Sequence, residues 1–124
     1  MYIFPFERLE AWKAARRVVA DIYCISNKFP SEERYGFVQQ IRRACLSVAS
    51  NLSEGCSRFS VKDQSHFFSI AYASLMETLN QLIIAKDLGW ITDEDYEKVR
   101  STIEPTSGLI AALRKSILAK GLKQ

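Results

Sequence analysis

The sequence predicts an all-α protein, an up-down-up-down antiparallel four-helix bundle, from three observations. Apolar residues recur with alternating steps of three and four along four segments, which is the spacing of one face of an α-helix. Capping residues, prolines and glycines separate these segments at three short links. The chain has 124 residues, 48% of them hydrophobic and 25% charged, so it can bury one core. We expect a single domain over residues 1–124, with helices at about 7–27, 33–57, 61–88 and 93–119.

The first helix is expected between two prolines. Pro5 precedes it, and Phe29-Pro30 ends it, because a residue before proline avoids helical backbone angles. Its predicted core face comprises Trp12, Ala15, Val19, Ile22 and Ser26.

The second helix has a clear core face and a strip of small residues beside it. Ser31 with the acids after it is typical of a helix start, but Gly36 one turn later favours a separate short turn before the main helix. The core face is predicted to comprise Val38, Ile41, Cys45, Val48 and Leu52. Another helix, or a second copy of this chain, is expected to pack closely on the strip of Ala44, Ser47, Asn51 and Gly55.

The third helix is apolar on two sides. Ser60 and Asp63 form its predicted capping pair, and Gly89 is placed to end it. The predicted core face comprises Phe67, Ala71, Leu75, Thr78, Leu82 and Ala85, and a second apolar set comprises Tyr72, Met76, Leu79 and Ile83.

The second apolar set predicts a homo-oligomer, because a monomeric four-helix bundle does not bury a helix on all sides. We expect this set, with Ala44, Ser47 and Asn51 of the second helix, to form the interface. The alternative is a wide core face beneath a long loop.

The fourth helix is expected to start at Thr92, a capping residue followed by three acids. Its end is basic, with Arg114, Lys115, Lys120 and Lys123. The predicted core face comprises Tyr96, Val99, Ile103, Thr106, Ile110, Leu113 and Ile117.

The charged residues predict one structural ion pair and one basic surface. Glu77, the only charged residue between positions 67 and 85, is expected to pair with Arg42 of the neighbouring helix. The net charge of +3 permits a polyanionic partner. The candidate residues for contact with RNA or DNA are Lys13, Arg16, Arg17, Arg43, Arg58 and Lys62. No nucleic-acid-reading motif is present, so we expect phosphate contacts without strong sequence specificity.

Catalytic and metal-binding patterns are missing from the sequence. His66 is the only histidine, and no phosphate-binding loop or nucleophile motif is present, so we expect no enzyme activity, no cofactor and no metal. The odd number of cysteines, Cys24, Cys45 and Cys56, favours free thiols. The charged N-terminus is unlike a signal peptide, and polar residues interrupt the third helix. We therefore expect a cytoplasmic protein without a membrane partner.

Three segments resemble a known family: FERLEAWKAA, FPSEERYGFVQQIRRACLSVASNLSEG and FFSIAYASLMETLNQLIIAKDLG. The chain is similar to the four-helix proteins encoded in intervening sequences of bacterial 23S rRNA genes, and more distantly to the accessory protein of diversity-generating retroelements. The resemblance implies a closed ring, most simply a pentamer, and contact with RNA or DNA. An alternative function is an oligomeric adaptor that docks a partner protein, such as a polymerase or reverse transcriptase.

Overall fold

The computed structural model describes residues 1–122 and contains four α-helices, with no strand in that range. The four-helix prediction is therefore confirmed. Lys123, predicted at the basic end of the last helix, lies outside the described residues. Two short 3-10 turns, Pro5–Arg8 and Ser31–Glu33, precede the first two helices, and the α-helices are α1 (Glu10–Ser26), α2 (Phe37–Cys56), α3 (Val61–Asp87) and α4 (Asp93–Leu122).

The first two α-helices begin later than predicted. Leu9 has extended backbone angles (φ −75°, ψ 120°), which separate the turn after Pro5 from α1. The short turn expected before Gly36 is confirmed, and Gly36 itself precedes α2 with non-helical angles. The predicted helix starts at about 7 and 33 therefore fall in 3-10 turns.

The predicted caps of α3 and α4 are confirmed by hydrogen bonds. The Asp63 N–H donates to Ser60 Oγ over 3.1 Å, and the Asp95 N–H donates to Thr92 Oγ1 over 3.0 Å. Gly89 has φ +76°, the left-handed conformation that glycine adopts most easily. Because the Gly89 and Trp90 N–H groups donate back to Lys86 O and Ala85 O, the end of α3 is satisfied as in a Schellman motif.

The core contains the predicted face of α2 without exception, since every predicted residue there is buried. The face of α1 is rotated from the prediction: Val18 and Ile25 are buried, while Trp12 and Val19 are only partly buried on the flank toward α2. In α3, Phe68 is buried in place of Phe67. The remaining predicted core residues of α3 are buried, as are those of α4 up to Ile110.

Contacts between α1, α2, α3 and α4 define two ends of the bundle. At one end, Lys28 pairs with Asp95 over 2.9 Å, and the rings of Phe29, Phe37 and Trp90 pack together. We call this the Trp90 end. At the other, the N-terminal end, residues 4–6 lie against residues 53–59, and Val61 lies beside Gly121.

One face of the apolar helix α3 is buried within the bundle. By length and hydropathy alone, α3 is the one helix among residues 1–122 that could cross a membrane. Its core residues instead pack against α2 and α4, and the fully buried Leu75 and Leu82 belong to the common core.

The helices α2 and α3 approach each other closely at Gly55. A Cβ added to Gly55 would lie 2.6 Å from Cε1 of Phe68, a ring that is only 1% exposed. Real Cβ atoms do not approach a neighbour this closely, and the buried ring has no room to withdraw. Gly55 is therefore a packing requirement of this helix pair.

Gly55→Ala is expected to lower the free energy of unfolding by about 1–3 kcal/mol, the usual cost of overpacking a core. The matched control is Gly108→Ala in α4, where an added Cβ would meet no atom within 4 Å. That variant should gain about 0.5–1 kcal/mol, because alanine is favoured over glycine inside a helix. Urea unfolding followed by circular dichroism measures both, and a Gly55→Ala protein as stable as the parent would refute the packing argument.

Candidate nucleic-acid interface

The small residues of α2 pack against α3 of the same chain. Ser47 and Ser74 share a hydrogen bond between their hydroxyls over 2.9 Å, and Asn51 Nδ2 donates to Ser47 O and Oγ. Ala44 is only 4% exposed. The expectation that another helix packs on this strip is therefore confirmed, and that helix is α3. The predicted place of Ala44, Ser47 and Asn51 in an oligomer interface stays a prediction.

The second apolar set of α3 faces α4. Met76, Leu79 and Ile83 are partly buried against the core, and Tyr72 borders a groove with Ile110 of α4. The Arg114 guanidinium of α4 donates to Ser69 Oγ on the same flank over 2.7 Å. Part of this set therefore packs within the chain, as in the predicted alternative of a wide core face, with α4 rather than a loop beside it. Its predicted role in an oligomer interface stays a prediction.

Arg42 anchors α2 to the end of α1. Its guanidinium donates to Ser26 Oγ over 2.9 Å, to Asn27 Oδ1 over 3.0 Å and to the Tyr23 carbonyl over 3.3 Å. The guanidinium also lies 4.7 Å from the centre of the Tyr23 ring. The predicted ion pair with Glu77 is therefore wrong: Arg42 lies on the flank of α2 that faces α1, and Glu77 is exposed on α3.

Three of the predicted cations lie together on α1. Lys13, Arg16 and Arg17 line one shallow depression near Glu7. Lys13 pairs with Glu10 over 3.3 Å, and the Arg16 guanidinium lies 5.4 Å from the Trp12 ring centre. Arg17 is exposed.

Two more predicted cations lie where α2 is linked to α3. Arg58 pairs with Glu54 over 2.7 Å and lies over the Phe67 ring at 4.7 Å, while Lys62 is exposed. Arg43 lies apart from Arg58 and Lys62. It is next to Arg42 in the first half of α2, about 20 Å along the helix axis from the C-terminal end of α2. The structure therefore places three of the predicted cations in one depression on the first half of α1 and two at the link from α2 to α3, and it separates Arg43 from both sets.

The sequence prediction omitted cations of α4 that lie at the N-terminal end. The close approach of Gly121 to Val61 brings the last turns of α4 beside the start of α3. The basic end of α4 was visible in the sequence, but only the folded chain shows which other cations lie near it. The added residues are Arg114, Lys115 and Lys120, with Arg8 on the first turn of the chain.

The acidic residues at this end are few and mostly engaged. Glu7 accepts a hydrogen bond from the Phe4 N–H over 2.7 Å, while Glu10 and Glu54 form the ion pairs with Lys13 and Arg58. Acids are more numerous at the Trp90 end, where Asp87, Asp93, Glu94, Asp95 and Glu97 are close together in sequence, with Lys28, Lys86 and Lys98 near them. There the hydrogen bond from Lys28 holds the pKa of Asp95 below its usual value.

The cysteines and acids offer no reactive group at this surface. Burial raises the pKa of Cys45 to about 11 and also raises the pKa of Cys56, so both thiols stay protonated near neutral pH. Among residues 1–122, no three His, Cys, Asp or Glu side chains are grouped as metal ligands would be. The surface can therefore offer positive charge and aromatic rings to a partner.

Comparison with known proteins identifies one family. The sequence model of the family called 23S rRNA-intervening sequence protein matches residues 7–112 of this chain. A solved protein of unknown function, from the S23 ribosomal protein family of Bacteroides thetaiotaomicron VPI-5482, has a similar fold with a TM-score of 0.78 and 21% sequence identity. The similarity covers 85% of this chain and 95% of that protein. No curated protein matches the chain.

Proposed function

Because the chain belongs to the 23S rRNA-intervening sequence protein family, as its motifs predicted, we propose that it binds RNA or DNA, without catalysis, through the cations of its N-terminal end. The observation that carries the proposal is the separation of charge along the bundle. Cations gather where α1 starts and α4 ends, and acids gather at the Trp90 end. A net charge of only +3 conceals this asymmetry.

The chemistry of this surface favours phosphate groups as the contacted atoms. Arg17 and Lys62 are exposed, and neither has a carboxylate within ion-pair distance among the described residues. Flexible cations of this kind bind any phosphate backbone, so affinity should depend steeply on salt and little on sequence.

Arg17→Ala with Lys62→Ala is expected to weaken binding of a labelled RNA or DNA strand and to lower the slope of log affinity against log salt by about two. Fluorescence anisotropy across a salt series measures both quantities. Since both side chains are exposed, the unfolding midpoint should not change.

The control is Arg43→Ala with Lys98→Ala, which removes the same charge from exposed positions nearer the Trp90 end. It should leave most of the affinity and slope intact. If the two double variants behave alike, net charge rather than location governs binding, and the proposed surface is wrong.

A second candidate function is that of an adaptor for another protein. It is favoured by the exposed apolar residues of the N-terminal arm, residues 1–4, which precede the first turn. Tyr2, Ile3 and Phe4 are all exposed, and exposed apolar patches often mark protein contacts. In that case the cations would dock an acidic protein. A parent protein that binds no nucleic acid even at low salt would favour this candidate.

We also propose that copies of the chain associate through the outward face of α3. Ala73, Asn80 and Ile84 share this face and are all exposed, with Glu77 the only charged residue between them. Such an exposed, weakly charged strip is compatible with another helix. The expected ring of five subunits comes from the family resemblance alone.

Ala73→Glu with Ile84→Lys should convert the assembly to a smaller species while leaving helicity unchanged, because both positions are exposed. Light scattering at micromolar concentration measures the mass. The control is Leu109→Lys, a change at an exposed apolar residue of α4, which should keep the parent mass. A monomeric parent protein at this concentration would rule out the assembly.

A further inference from the structure

We infer that the partner is a single-stranded nucleic acid whose bases stack on aromatic side chains of the N-terminal end, above all on Phe59. This inference rests on the proposed function, and it names which form of nucleic acid the same end would bind.

Phe59 is fully exposed in the link between α2 and α3. Its relative exposure is 104%, whereas five of the other six phenylalanines are buried or partly buried. The exception, Phe4, is 56% exposed and packs edge-to-face on Tyr2, itself 68% exposed, with ring centres 4.9 Å apart. The exposed phenylalanines therefore both belong to the N-terminal end.

The link holds Phe59 in a defined place. Gln64 Nε2 donates to the Arg58 carbonyl over 3.1 Å, and Ser60 Oγ accepts the cap bond at the start of α3. On the α2 side, Ser57 Oγ donates to the Glu54 carbonyl over 2.7 Å. Because the residues on both sides of Phe59 are hydrogen-bonded, its backbone position is fixed, and only the torsions of its side chain have to be ordered when a partner stacks on the ring.

A groove connects Phe59 with the N-terminal arm. The volume of this groove is about 540 Å³, within the range of roughly 300–1,000 Å³ that is typical of small-ligand sites. The polar side chains that line it include Glu54, whose negative charge is offset by its ion pair with Arg58. The lining residues are Phe4, Pro5, Phe6, Ser53, Glu54, Cys56, Ser57 and Phe59.

Two cations lie beside Phe59 in the sequence. Arg58, directly before it, pairs with Glu54 over 2.7 Å, whereas Lys62, three residues after it, is exposed and forms no ion pair among the described residues. Aromatic rings for the bases and cations for the phosphates are the combination by which proteins hold single strands. An apolar protein partner would use the rings but would not need the cations beside them.

A single strand fits this surface better than a duplex. In a duplex the faces of the bases are covered by their neighbours, so a side chain meets only base edges and phosphates. In a single strand the faces are open to aromatic rings, and stacking depends little on base identity. The surface therefore favours single strands without selecting a sequence.

The test compares a single-stranded oligonucleotide with an abasic strand of equal length and charge. The parent protein should bind the base-containing strand about 5- to 150-fold more tightly, the range expected for one stacked base. Phe59→Ala should lose most of this preference, and Phe59→Tyr should keep it. Tyr35→Ala, which removes another exposed aromatic side chain (79% exposed), serves as the matched control and should behave as the parent.

The outcomes separate the inference from the proposed function. If neither strand binds at low salt, the proposed function fails. If the parent binds both strands equally, or if Phe59→Ala keeps the preference for bases, phosphate binding stands and the stacking inference is overturned. If Phe59→Ala lowers the mass of the assembly and leaves the preference unchanged, Phe59 contacts a second copy of the chain, and the stacking inference is likewise overturned.

Discussion

The close contact between Gly55 and the Phe68 ring is the constraint on which the rest of the structure depends. It lets the backbone of α2 at Gly55 approach the Phe68 ring of α3 closely. The small residues Ala44, Ser47 and Asn51 extend this contact along α2. Glycine is required there because any side chain would displace a buried ring. The extensive α2 and α3 contact, in turn, fixes where the link between them emerges.

The position of that link decides what the surface can bind. It places Arg58, Phe59 and Lys62 at the end of the bundle where α1 begins, and the first half of α1 carries Lys13 and Arg17. The acids that start α4 lie at the other end, where Lys28 pairs with Asp95. Folding therefore turns a weakly basic chain into a bundle with one positive end, and the proposed function follows from that polarity.

Much of the fold could be predicted from the sequence because its signals are local. The core face of α2 and the Ser60 and Thr92 caps depend on nearby residues alone, and all are confirmed. Periodicity does not reveal which element lies beside a face. It showed that α3 is apolar on two sides, but not that Tyr72 of the second set borders α4. The cations of the candidate site were mostly visible in the sequence, whereas their grouping with α4 depends on the folded chain.

Photo-crosslinking of a thiouridine-containing single-stranded RNA, followed by mass spectrometry of the linked peptides, tests the central claim most directly. The result of this experiment does not depend on how many copies of the chain associate. The polarity of the bundle predicts cross-links in the N-terminal arm, the first half of α1 and the α2 to α3 link that contains Phe59. Cross-links confined to the Trp90 end, around the link that contains Trp90 and the start of α4, would contradict it.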